Sequence, residues 1–110
     1  MKSALILALF ATRLWPAGDP RAGDEANQAL ALAREGKYEQ AIPHYRAALK
    51  LDPGMQGLQL NLGLAYLKLN RLADAIPQFQ EALRSDPASL QARVLLGMSY
   101  YGVRDRKSVV

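Results

Sequence analysis

His44 is the single histidine of a 110-residue chain that contains no cysteine. An imidazole can ligate a metal or act as a base, but a metal site needs three or four donors. No pair of acidic residues stands at ligand spacing around His44, so it reads as an exposed side chain on a polar helical stretch. Ser3, Ser85, Ser89, Ser99 and Ser108 lack the sharp turn that presents a nucleophilic hydroxyl. Gly54 and Gly57 fall in a turn and do not make a glycine-rich phosphate loop. These residues predict no catalysis, no metal and no cofactor. The absence of cysteine also excludes disulfides, thiolate metal sites and a cysteine-linked lipid anchor, and it leaves the redox compartment open.

The formal charge of +4 points toward nucleic acid only until the charges are placed. Lys2, Arg13, Arg21, Arg104, Arg106 and Lys107 lie in the two ends of the chain. Between Ala22 and Val103 eight basic side chains face eight acidic ones. A nucleic-acid surface needs Lys and Arg gathered on one face to displace counterions. No such gathering exists, so nucleic acid is not an expected partner.

The elements that would carry any function are helical. Half of the composition is hydrophobic, dominated by Ala and Leu and poor in aromatics, which suits helices better than strands. Leu14 to Gly23 holds two prolines and two glycines and reads as a linker, with residues 18–23 assigned to it. The first helix is expected over Asp24–Glu35, ended by Gly36, and the second over Tyr38–Leu51, stopped by Asp52-Pro53. The third is expected over Gln56–Leu69, closed by Asn70, and the fourth over Leu72–Ser85, stopped by Asp86-Pro87. Ser89 is positioned to cap a fifth helix over Leu90–Tyr101. Pro43 and Pro77 sit at equivalent places about one turn into their helices, where a mild kink is expected.

Ala41, Tyr45, Ala48 and Pro53 recur as Ala75, Phe79, Ala82 and Pro87, all at one constant offset. The second set is preceded by Leu62, Gly63 and Tyr66. This signature resembles the tetratricopeptide repeat, a helix–turn–helix unit of about 34 residues that stacks into a solenoid. The resemblance covers Ala22 to Tyr101. It divides the chain into a first repeat over 22–55, a second over 56–89 and the first helix of an incomplete third over 90–103. In the first repeat Ala29 and Leu32 stand in the glycine and tyrosine places, Gln59 departs from an aromatic often found there, and Leu96, Gly97 and Tyr100 open the third. The implied fold is an all-α solenoid of antiparallel helix pairs in a right-handed superhelix, two full repeats plus one extra helix.

The resemblance also implies a function: a protein-interaction scaffold that holds a peptide or helix in its concave groove, without catalysis. In this family the first helix of each repeat lines that groove. Helical spacing then places Ala26, Leu30 and Ala33 there in the first repeat, and Leu60, Leu64 and Leu67 with Asn61 and Lys68 in the second. Val94, Met98 and Tyr101 follow in the third. Some tetratricopeptide domains clamp the acidic tails of heat-shock chaperones with Lys, Asn and Arg. The matching places are Ala26, Leu30, Asn61, Gln91 and Leu95, and only Asn61 fits, so chaperone-tail binding is not expected. The other functional reading is that the repeats form one arm of a larger enzyme or of a membrane-tethered assembly factor.

Both ends carry their own expectations. Met1 to Ala11, MKSALILALFA, sets one positive charge before a short apolar run, the layout of a secretory signal too short to span a bilayer. Residues 1–17 are assigned to that signal, which makes the protein exported, periplasmic or secreted. The alternatives are a membrane-tethered protein and a cytoplasmic one. At the other end the repeat pattern stops at Gly102, and DRKSVV resembles the translation of a common sequencing adapter. Residues 104–110 are therefore expected to be artefactual or disordered, and the chain to be a fragment of a longer bacterial array. The Leu90–Tyr101 helix would then expose apolar surface and promote self-association.

Overall fold

The computed structural model describes residues 18–108, and the signal assignment at residues 1–17 lies outside them. The Asp19 side chain accepts a hydrogen bond of 2.9 Å from the Arg21 backbone N–H, and Pro20 occupies the first helical position. Helix α1 (Pro20–Arg34) thus starts ahead of the expected Asp24 and absorbs most of the linker assigned to residues 18–23. An aspartate cap followed by proline starts a helix, since proline lacks a donor where none is needed. The Arg21 guanidinium, followed by the Arg21 backbone N–H, lowers the Asp19 carboxyl from 3.8 to about 2. A depressed carboxyl stabilises the fold above its unfolded pKa and loses that contribution as pH falls through the folded one. We expect the Asp19 carboxyl resonance to titrate near pH 2, and the α1 terminus to fray between about pH 4 and 2. A carbon-detected NMR titration checks both, and an ordinary midpoint near 3.8 would remove the pairing.

The next helices follow the sequence closely. Helix α2 spans Tyr38–Leu51, α3 Leu58–Lys68, α4 Leu72–Ser85 and α5 Leu90–Ser108. Gly36 (φ 77°) and Asn70 (φ 61°) make the left-handed turns inside the two helix pairs. At both turns the following backbone N–H reaches back into the preceding helix, Lys37 to Leu32 O at 2.9 Å and Arg71 to Tyr66 O at 2.8 Å. Between the pairs, the Asp52 carboxylate accepts from the Gly54 N–H, and one repeat later that of Asp86 accepts from the Ala88 N–H in the same kind of turn. Pro43 and Pro77 are exposed and lie inside unbroken helices.

Helix α5 differs most from expectation. It runs 19 residues to Ser108, well past Tyr101 and through most of the tail expected to be disordered. Arg104 stands where Gly36 and Asn70 turn the chain, and a residue with a Cβ and no local hydrogen bond disfavours the left-handed conformation. Gly102 does not break the helix. A Cβ there would lie 2.7 Å from Leu72 Cδ1, so its bareness lets α5 close on α4. Arg106 extends the contact by donating to the Asn70 carbonyl at 2.8 Å. Ser89 caps α5 as expected, its hydroxyl accepting from the Ala92 N–H at 3.2 Å.

Each helix packs on the next, with α3 also touching α5. The core combines small, aromatic and aliphatic side chains. Ala26, Ala29, Ala41 and Ala48 bring α1 and α2 together around Tyr45, and Leu62, Gly63 and Ala75 bring α3 and α4 together around Phe79. A contact repeats between the pairs: the Arg46 guanidinium donates to the Tyr66 hydroxyl, and one repeat later the Gln80 amide donates to the Tyr100 hydroxyl at 2.8 Å. Arg46 and Arg71 also stand over the Tyr66 ring, 5.7 and 4.9 Å from its centre. Among the described residues no helix is long and apolar enough to cross a membrane.

Candidate peptide-binding surface

Helices α1 and α3 are the first members of two successive pairs, and the space between them forms a depression of about 220 Å³. It is lined by Leu30, Ala33 and Arg34 from α1, Tyr38 and Tyr45 from α2, and Asn61, Leu64 and Ala65 from α3. Leu30, Asn61 and Leu64 were all expected on one face, and the structure brings them together. Leu64 is half-buried, and Arg34 is exposed at the rim. Burial raises the Tyr45 phenol above its usual 10; the nearby Tyr38 adds to the rise and Arg34 opposes it. Tyr45 is therefore a neutral wall of the depression, and Asn61 and Arg34 supply its polar groups.

The other expected groove residues go elsewhere. Ala26 is buried in the core, because Ala at that place lets α1 approach α2. Leu67 packs against the core, as Leu30 and Leu60 also do, but lines neither cavity, and Lys68 is exposed. Leu60 enters a second, more polar cleft of about 390 Å³ at the edge of the stack. Its floor is the Pro53–Gly57 turn, and its far wall holds Ser85, Asp86, Ser89 and Gln91. This cleft was not foreseen; Gly54 and Gly57, read only as turn residues, are among the residues that line it. Val94, Met98 and Tyr101 are exposed on α5 and are absent from the lining of either cavity.

His44 is not the exposed side chain the sequence suggests. It is half-buried, and its Nδ1 lies 2.6 Å from Glu25 Oε2 across the α1–α2 pair. The pairing was hidden because the two residues are 19 positions apart and meet only after the turn at Gly36 folds the helices together. Among the described residues no group of three His, Cys, Asp or Glu side chains could hold a metal ion.

The tetratricopeptide repeat profile matches residues 26–89 and again 60–103. The chain belongs to the tetratricopeptide repeat family. Among the described residues, five helices packed in sequential pairs have the tetratricopeptide fold. The crystal structure of the Sgt2 tetratricopeptide repeat domain from Aspergillus fumigatus superposes with a TM-score of 0.72 at 24% identity. That match covers 83% of this chain and 60% of the other, so the chain spans about three-fifths of the length of that domain. Comparison with curated proteins gives no match. Tetratricopeptide repeat domains are typically non-catalytic and bind protein partners, and the repeats described above belong to that class.

Proposed function

We propose that this tetratricopeptide repeat protein binds a peptide segment of a partner protein, with one apolar anchor side chain seated between Leu30, Tyr45 and Leu64. The observation that carries the reading is the depression shared by α1, α2 and α3. Its volume is about 220 Å³, below the roughly 300–1,000 Å³ of small-molecule pockets. A single anchor side chain suits that size better than a whole cofactor. The Asn61 amide offers a donor and an acceptor for the peptide backbone beside the anchor, and the Arg34 guanidinium at the rim favours a carboxylate or carbonyl. The ligand class is therefore an extended or helical segment with an exposed Leu, Ile or Phe, held by shape and a few polar contacts.

Peptide display on the full chain tests this. Selected peptides are expected to lose at least tenfold in affinity for Leu64→Glu, since a carboxylate in the depression forces desolvation without a partner, worth about 1.4 kcal/mol or more. Ala73→Glu, on the exposed first turn of α4, should leave affinity unchanged. Peptides that bind Leu64→Glu as well as the wild type would end the proposal.

A further inference from the structure

The cleft of about 390 Å³ and the peptide-binding depression share α3, with Leu60 lining the first and Asn61 and Leu64 the second. The cleft is flanked by the chain's own elements, the turn before α3 on one side and the end of α4 with the start of α5 on the other. Its lining carries one charge. Asp86 is an acid, whereas the carboxamides of Gln56, Gln59 and Gln91 and the hydroxyls of Ser85 and Ser89 are neutral, and no Lys or Arg lines it. The Ala88 N–H takes up one oxygen of the Asp86 carboxylate, at 3.2 Å, and leaves the other to accept. The basic side chains nearest in sequence are engaged elsewhere, Arg84 with Glu81 and Arg93 with the Pro87 carbonyl at 2.6 Å. A carboxylate among neutral acceptors suits a cation that carries several donors.

The place one repeat earlier indicates what kind of molecule fits. Asp52 stands there as Asp86 stands here, each accepting from a backbone N–H two residues on. The chain's own backbone at Gly18, just ahead of α1, lies against the Asp52 carboxylate, so that a Cβ on Gly18 would be 2.5 Å from Asp52 Cγ. Asp52 is half-buried and Asp86 is exposed. An extended segment is thus seated on this carboxylate in one repeat, and the next repeat is open to a segment from outside. Gly57 also begins α3 without a side-chain cap, which leaves the first N–H groups of that helix to a carbonyl of such a segment.

We propose that this cleft holds an arginine side chain of the partner peptide, its guanidinium on Asp86 and its other N–H groups on the glutamine and serine oxygens. Arginine suits the cleft better than lysine, because its planar fork carries five donors to acceptors on both walls. For its spacing the inference rests on the peptide reading above. Leu60 and Leu64 are one turn apart on α3, so the two cavities are roughly 6–10 Å apart along the helix. An extended peptide, at roughly 3.3 Å per residue, covers that in two or three residues. The partner segment is therefore an apolar anchor with an arginine two or three residues away.

The cleft is tested first without any peptide. N-acetyl-arginine amide at millimolar concentration should shift the amide resonances of Gly57, Ser89 and Gln91 of the full chain and leave that of Leu30 in place. The citrulline counterpart, which keeps the shape without the charge, should not. Asp86→Asn should abolish the response, while its side-chain oxygen still accepts from the Ala88 N–H and keeps the turn. In display-selected peptides, exchanging the arginine for citrulline should weaken binding to the wild type about three- to tenfold and leave binding to Asp86→Asn unchanged. Leu64→Glu separates the two readings, since it should weaken those peptides and spare the response to the arginine amide. Peptides that depend on Leu64 but tolerate citrulline overturn this inference alone. So does a cleft that is silent to the arginine amide, a response that citrulline reproduces or Asp86→Asn leaves intact, or a preference for N-acetyl-glutamate amide at the uncapped start of α3.

Discussion

Phe79→Ala is expected to remove about 3–5 kcal/mol of stability, the range for deleting a buried aromatic ring. Phe79 is fully buried in the α3–α4 pair, with Gly63 and Ala75 as close, small neighbours. Glycine and alanine cannot reach into the space that the ring leaves, so the cavity cost adds to the lost transfer energy. The loss is a large part of the total for a small domain, about 5–15 kcal/mol. It also propagates, because each pair in a stacked array is stabilised mainly by its neighbours. The α4–α5 contact depends on Leu72 of the same helix, so α5 should lose order along with α3 and α4. Urea unfolding followed by circular dichroism measures the loss, with Phe79→Leu as a milder change of about 1–2 kcal/mol. A loss under about 1 kcal/mol for Phe79→Ala would mean that this ring does not organise the pair.

Much of this packing could be read from residue types and their offset. The recurrence of small, aromatic and proline residues at a constant offset located α2 and α4 to their end residues, because each helix is started and stopped by local chemistry. The ends of the fold were harder to read. Pro20 and Gly23 look like breakers in isolation, yet Asp19 supplies a cap, and a proline is at home in a first turn. Gly102 and the basic run after it look like a stop. Their helical state rests on contacts with Leu72 and Asn70, far back along the chain, which local propensity does not contain. The same limit applies to the surface. Periodicity put Leu30, Asn61, Leu64, Ala26 and Leu67 on one face alike, whereas in the structure the first three line one depression, Ala26 is buried in the core and Leu67 lines neither cavity. Period shows which way a side chain points, whereas the neighbour it meets depends on how the helix pairs stack. The Glu25–His44 and Arg46–Tyr66 contacts, each between different helices, are of the same kind.

Gly63 and Gly97 occupy one repeat position, and substituting each by alanine is expected to have opposite effects. In a helix interior alanine is favoured over glycine by about 0.5–1 kcal/mol, through the entropy of the unfolded chain. At Gly97 nothing opposes that gain, since a Cβ meets no atom within 4 Å. Gly97→Ala should therefore stabilise the chain by about that amount. At Gly63 the new Cβ would lie 2.6, 2.8 and 3.0 Å from three carbons of the Phe79 ring. The ring is fully buried and can only move by displacing the α4 backbone or its core neighbours. Overpacking of that kind costs about 1–3 kcal/mol, so Gly63→Ala should be net destabilising, and Gly63→Val more so. A shift of about 1 kcal/mol moves the melting temperature of a domain this size by about 4–8 °C, which makes the sign easy to read. The decisive comparison is the double variant. With Phe79→Ala in place the ring is gone, the Gly63→Ala methyl enters the cavity, and the second substitution should become neutral or stabilising. That reversal is a coupling between two contacting residues, which a double-mutant cycle isolates. If Gly63→Ala costs the same with and without the Phe79 ring, the ring is not what requires a glycine at position 63. In that case Gly97 would lose its standing as the open counterpart of a filled site.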